Sequence, residues 1–237
     1  MKIVWFMGIT LLMACSPSSQ QRDWIELEMD PGFSDWQTEV GDWQSAGDVK
    51  LMPGDSTHLA PVTGTGVGWN GPSGRTVHLF SDFMHSSCEL EVEFKVAKNS
   101  NSGIYLMGRY EVQVLDSYGE KDLRHADVGG IYQRWQDGKG FEGHPPMVNA
   151  SLPPGQWQTF YIRFCAPKFN EQGEKIKDAE FPEVRLNGQL VQQNVKITGP
   201  TRSAAFENEE PLGPLMLQGD HGPVAYRNIR LRPVECN

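Results

Sequence analysis

Apolar residues recur along this chain with a period of two. The clearest stretch is Cys88-Glu-Leu-Glu-Val-Glu-Phe-Lys-Val96, with Leu90, Val92, Phe94 and Val96 on one side and Glu89, Glu91, Glu93 and Lys95 on the other. Successive side chains of a strand point to opposite faces, so this spacing predicts a half-buried strand. Asn99-Ser-Asn-Ser-Gly103 reads as a turn, and Ile104 to Leu115 as the next strand, bent at Gly108. In it Ile104, Leu106, Tyr110, Val112 and Val114 take the core side, and Arg109, Glu111 and Gln113 the polar side. Trp157–Phe164, Leu215–Gln218 and Ala225–Leu231 read as further strands, and Val184–Val191 as a hairpin turning on Asn187-Gly188, a pair suited to a type I′ turn. No helical spacing is sustained and no long repeat is visible. Strands joined by Gly- and Pro-rich connections, without alternating helices, predict an all-β sandwich of two antiparallel sheets. Residues 119–156 and 166–182 read as long loops, which in compact domains tend to line clefts. Gly64 to Gly74 reads as a flexible glycine-rich loop.

The N-terminus breaks this pattern. Lys2 precedes an apolar run from Ile3 to Met13, shorter than the roughly 20 residues that span a membrane and suited to a secretory signal. The run ends in Leu12-Met13-Ala14-Cys15, which resembles a bacterial lipobox, so residues 1–14 are expected to be a cleaved leader and Cys15 a lipidated anchor. Residues 15–23 then form a polar tether and residues 24–237 the folded domain. No Asp follows Cys15, which points to an outer-membrane lipoprotein, facing the periplasm or the surface. With Cys15 lipidated, Cys88, Cys165 and Cys236 allow at most one internal disulfide, and no Cys-x-x-Cys spacing suggests thiolate zinc.

Composition narrows the function. Lys and Arg number 21 against 30 Asp and Glu, a net charge of −9, which argues against a nucleic-acid partner. Seven Trp and six Tyr are compatible with sugar binding, although aromatics also fill cores.

A resemblance sharpens the expectation. Asn101-Ser-Gly-Ile-Tyr-Leu-Met-Gly-Arg-Tyr-Glu-Val-Gln-Val-Leu-Asp-Ser-Tyr-Gly119, then Gly130-Ile131-Tyr132, Pro145-Pro146, Asn149-Ala150-Ser151 and Pro154-Gly-Gln-Trp-Gln-Thr159 follow in order. Phe164-Cys-Ala-Pro-Lys-Phe169, Leu186-Asn-Gly188, Gly199-Pro-Thr201, Gly213-Pro214, Leu217-Gln-Gly-Asp-His-Gly222 and Arg227-Asn-Ile229 complete the set. Across about residues 77–233 this resembles the 3-keto-disaccharide hydrolase domain family of bacterial secreted proteins and lipoproteins; residues 24–76 match less well. The resemblance implies a concanavalin-like jelly roll acting on glycosides with a ketone at C3. Such a ketone acidifies the C2 proton. A base removes it, an acid helps the C1 substituent leave, and water adds to the enone, while donors or a cation hold the enolate.

The candidate catalytic residues are Glu111 on the polar strand face, Asp116 at the strand end and His221 in a Gly-flanked loop. Candidate substrate contacts are Arg109, Gln113, Tyr132, Trp135, Asn149, Gln218, Arg227 and Glu93. Each has a plainer reading: an exposed ion pair, a turn cap for Asp116, or loop packing for Tyr132, Trp135 and Asn149. The other histidines, His58, His78, His85, His125 and His144, read as surface or core. A divalent metal on a carboxylate and His221 would also suit an enolate. Which residue is base and which acid stays open. Two other functions fit the same sandwich. A laminarinase-type glycosidase would use alternating carboxylates such as Glu89, Glu91 and Glu93, and a carbohydrate-binding module would need no catalytic group. The 3-keto reaction would also require a separate sugar oxidoreductase.

Overall fold

The computed structural model describes residues 23–37 and 39–236. The expected leader and Cys15 lie outside the described residues. Within them the chain forms β1 (Ile25–Leu27), β2 (Gln44–Met52), β3 (Asp55–Trp69), β4 (Leu79–His85), β5 (Cys88–Val96), β6 (Asn101–Leu106), β7 (Tyr110–Leu115) and β8 (Arg134–Gln136). It continues with β9 (Lys139–Phe141), β10 (Gln158–Cys165), β11 (Lys168–Phe169), β12 (Lys175–Lys177), β13 (Ala179–Leu186), β14 (Gln189–Ile197), β15 (Gly213–Leu217) and β16 (Val224–Pro233).

These strands make an antiparallel sandwich. The larger sheet runs β14-β13-β10-β5-β16-β3-β2, with β1 also paired to β16. The smaller runs β4-β15-β6-β7. The predicted alternation places Leu90, Val92 and Phe94 of β5 beside Phe160, Ile162 and Phe164 of β10 in one core with Ile104, Leu106, Val112, Val114, Leu215 and Leu217 of the smaller sheet. Phe94 stacks on Phe160 with ring centroids 5.0 Å apart. Burying each such side chain contributes about 1.5–3 kcal/mol, which makes this core the main source of stability.

Three expectations change. Ile104–Leu115 is not one bent strand but a hairpin, β6 and β7, reversed at Met107-Gly-Arg109. Leu106 pairs with Tyr110 across this turn, so the inward parity resumes unbroken and hides the reversal. Gly64 to Trp69 belongs to β3 rather than to a loop. Gly64 passes so close to Gly47 that an added Cβ would lie 2.7 Å from its Cα, and both glycines sit at an irregularity in the β2–β3 register. The 119–156 and 166–182 stretches contain the β8–β9 and β11–β12 ribbons. The Asn187-Gly188 turn is as predicted, with both residues at positive φ. Cys165 and Cys236 form the disulfide, tying the C-terminal segment to β10, and Cys88 is free and buried.

Candidate active site

The side of the smaller sheet that faces away from the core carries a crosswise row. Phe80 of β4 pairs with Met216 of β15, Met216 with Tyr105 of β6, and Tyr105 with Glu111 of β7. Residues 129–132 extend the sheet beyond β7, where the Tyr132 amide donates to the Glu111 carbonyl at 3.2 Å. One step along the strands Gly103 faces Gln113, and the Gln218 amide donates to the Gly103 carbonyl at 2.9 Å.

Glu111 is the centre of this face. It is 3% exposed. Burial, with a smaller contribution from the Asp220 charge, pushes its carboxyl up to about 8, although the Tyr105 hydroxyl donates a hydrogen bond to it. At neutral pH the acid form therefore predominates. The Tyr105 phenol is pushed well up by burial and by Glu111, so it too keeps its proton. Gly103 makes room for both: a Cβ there would lie 2.3 Å from Glu111 Oε1 and 2.8 Å from the Tyr105 ring. Thr201 Oγ1 receives the Glu111 amide at 3.2 Å and donates to the Arg109 carbonyl at 3.0 Å, which fixes the backbone beneath.

A second group stands at the end of β15. His221 Nδ1 lies 2.5 Å from Asp220 Oδ1 and 3.2 Å from the Gln218 side-chain amide. A carboxylate only accepts, so Nδ1 carries the hydrogen toward Asp220, and the lone pair of the neutral ring is then on Nε2. The same Asp220 oxygen is 3.8 Å from His78 Nδ1, which receives the Gly219 amide at 3.3 Å. Burial lowers the His78 pKa, against the pull of Asp220. The Asp220 charge acts on Glu111, Tyr105 and His78, so these groups lie within electrostatic reach of one carboxylate.

The predicted residues divide accordingly. Glu111, Gln113, Tyr132, Gln218 and His221 come together on or beside this face, Gln113 being held by Asn101 Oδ1 at 2.7 Å. Others are committed elsewhere. Asp116 caps a turn by accepting the Asn99 amide at 2.9 Å. Arg109 belongs to the β6–β7 turn, where it donates to the Asn208 and Met107 carbonyls and packs on Phe206, anchoring a loop rather than a substrate. Asn149 staples its loop, donating to the Ser117 and Glu120 carbonyls and accepting from Ser151. Trp135 is exposed on the β8–β9 hairpin beneath Arg202.

Glu93 and Arg227 pair with each other, at 2.8 Å, on the outer face of the other sheet. There β5 and β16 form a ladder of ion pairs, Glu93 to Arg227, Glu91 to Arg230 and Glu89 to Arg232. Among the described residues there is no group of three or more His, Cys, Asp or Glu that could hold a metal ion. The groups that sequence reasoning passed over are Tyr105, Gly103, Asp220 and His78. Tyr105 shares the odd parity of Glu111, and Asp220 precedes His221. His78 carried no local signal, since Gly219 lies 141 residues further on.

Fold and site define a sugar-processing jelly roll of glycosyl-hydrolase character. The chain belongs to the family of 3-keto-alpha-glucoside-1,2-lyase-like domains, whose model matches residues 23–232. Among solved structures, a candidate glycosyl hydrolase from Parabacteroides distasonis ATCC 8503 is 26% identical with a TM-score of 0.62, covering 97% of this chain and 98% of its own. A second candidate glycosyl hydrolase from the same organism, 16% identical with a TM-score of 0.57, covers 90% of this chain and 100% of its own, and shows the shared fold. A search of curated proteins found no match.

Proposed function

We propose that this chain cleaves 3-keto-glycosides by elimination and hydration. The observation that carries the reading is the buried Glu111, whose carboxyl burial pushes up to about 8, on the same face as Tyr105 and near the Asp220 that holds His221. A conventional glycosidase needs an ionised carboxylate as nucleophile or base. A carboxylic acid kept neutral in a buried site instead donates a hydrogen bond to an enolate oxygen.

The steps follow from the order of groups across the sheet. The C3 ketone accepts from Glu111, whose other oxygen receives Tyr105. His221 Nε2 takes the C2 proton, and Asp220 stabilises the resulting imidazolium. The electrons of the C2–H bond form the enolate. Their return expels the C1 oxygen, which takes the proton now held by the His221 imidazolium. Water then adds to C1 of the enone and a proton returns to C2. The net change is one water consumed and one C1–O bond cleaved. A separate oxidoreductase must supply the ketone.

The conventional glycosidase reading is weakened because Glu89, Glu91 and Glu93 are held by arginines on the opposite side of the sandwich. An envelope lipoprotein is supported by the leader and Cys15 in the sequence, and the Cys165–Cys236 disulfide suits an oxidising compartment. The test is release of a chromophore from a 3-keto-glucoside and from the same glucoside unoxidised. Release from the 3-keto compound alone is expected. Release from the unoxidised compound would favour a conventional glycosidase, and sugar binding without release from either a binding module.

A further inference from the structure

The side chains of His221 and Asp220 are 48% and 43% exposed. Packing alone therefore does not aim the imidazole, and its bearing comes from the backbone that carries it. That backbone is tied down carbonyl by carbonyl. Ser102 Oγ donates to the Gln218 carbonyl at 2.7 Å and the Thr76 amide to the Gly219 carbonyl at 2.9 Å. Arg75 Nη1 donates to the Asp220 carbonyl at 3.1 Å, and Ser100 Oγ to the Pro223 carbonyl at 2.8 Å.

One side chain spans the whole segment. Asn70 directly follows β3, 149 residues before Gly219, and is fully buried. Its Nδ2 donates to the Gly219 carbonyl at 3.0 Å and to the Gly222 carbonyl at 2.7 Å, and its Oδ1 accepts the Val224 amide at 2.9 Å. Both amide protons and the amide oxygen are thus engaged. Gly219 and Gly222 flank Asp220-His221 immediately, so a single buried amide holds the chain on both sides of the pair. The glycines let the segment close on its surroundings. A Cβ on Gly219 would lie 2.2 Å from the Val77 carbonyl oxygen, and one on Gly222 2.6 Å from Ser100 Oγ.

We infer that Asn70 is a positioning residue of the site: through the Gly219 and Gly222 carbonyls it fixes where His221 Nε2 points and keeps Nδ1 on Asp220. Its effect on rate rests on the proposed reaction; its effect on His221 rests on the geometry alone. The sheet does not need this amide, because β3 and β16 pair through their own backbones at Trp69–Ala225 and Gly68–Tyr226. An apolar residue at position 70 would leave two carbonyls and one amide without their partner, a cost that could unfold the chain. Aspartate is the sharper probe. It has nearly the same shape and still accepts the Val224 amide, yet it carries at most one proton for two carbonyls.

The experiment reads the His221 ring by imidazole-nitrogen NMR, beside turnover of a 3-keto-glucoside, in wild type, Asn70→Asp and Val184→Ala. Val184 is a buried residue of β13, which β10 and β5 separate from β16, so its truncation lowers Tm without touching the loop. Wild type should show one tautomer, with the hydrogen on Nδ1. In Asn70→Asp the ring should sample both tautomers. There kcat should fall about 100-fold, the effect of ångström-scale misplacement, with KM held within about threefold. Asn70→Ser, with a single donor, should give the same two changes and serves where Asn70→Asp does not fold. Val184→Ala should keep both the tautomer and kcat. A wild-type tautomer and kcat in the Asn70 variants, or equal losses in Val184→Ala at a matched fall in Tm, would overturn the inference. If wild type turns over no 3-keto-glucoside, the proposed reaction fails, and the His221 tautomer in the Asn70 variants still decides the positioning.

Discussion

Gly103 and Glu111 face the same cleft from neighbouring strands, and the Cβ that Gly103 lacks would lie 2.3 Å from Glu111 Oε1. The carboxyl thus occupies space that any other residue would fill. Gly103→Ala should displace Glu111 toward the cleft and lower kcat by roughly 100-fold, because about an ångström of misplacement at a reacting centre costs that much. Kinetics beside a thermal melt check this: a large fall in kcat with a small change in Tm is expected.

The raised Glu111 pKa predicts a stability profile. The folded chain holds a proton there up to about pH 8, while the unfolded chain releases it near 4.5. Between those values the folded state binds more protons, so this contribution is fully present below 4.5 and is lost as pH rises through 8. The loss is on the order of a few kcal/mol. Glu111→Gln should flatten the profile from pH 5 to 9 and be the more stable form above pH 8, as melts across that range would show. Since Gln still donates, Glu111→Gln should retain more turnover than Glu111→Ala and lose the alkaline fall in rate expected of wild type.

Asp220 sets the tautomer of His221 by accepting from Nδ1 at 2.5 Å. Asp220→Asn should let the imidazole present N–H rather than a lone pair to the cleft and remove the stabilisation of the imidazolium. A loss of about 10²–10⁴ in kcat is expected, the range of a general base. His221→Ala should lose as much, and combining the two changes should cost little more than either alone.

His85 titrates away from the cleft. Its Nδ1 donates to the Ser86 carbonyl and its Nε2 accepts the Met107 amide at 3.0 Å, so the ring must be neutral. Burial lowers its pKa to about 4, from 6.5. The unfolded state binds the extra proton in that window, so stability falls as pH drops from 6.5 toward 4, by on the order of 3 kcal/mol. His85→Gln, which can still accept the Met107 amide, should reduce this acid sensitivity in pH-dependent melts.

The larger framework was legible because its signals are local. β5 could be read from Leu90, Val92 and Phe94, and the β13–β14 hairpin from Asn187-Gly188. The β6–β7 turn was not, because Leu106 and Tyr110 keep the same inward parity across it. At the site, Glu111, Gln113, Gln218 and His221 stood out as polar groups on one strand face or beside a strand end. The pairing of Glu93 with Arg227 depends on the β5–β16 register, which one sequence does not reveal. His78 joins the site only because β4 edges the same sheet as β15. Asp116 and Asn149 sat among site motifs yet serve backbone amides and carbonyls, a use that residue type alone does not separate from catalysis.

Removal of the C2 proton by the Glu111–His221 site is tested most directly by turnover of a 3-keto-glucoside in D₂O, with the product's C2 position read by NMR at early times. Elimination and hydration predict deuterium at C2 in essentially every product molecule formed by wild type, and none above the uncatalysed background with His221→Ala. Product that forms rapidly with its C2 hydrogen retained would contradict the account.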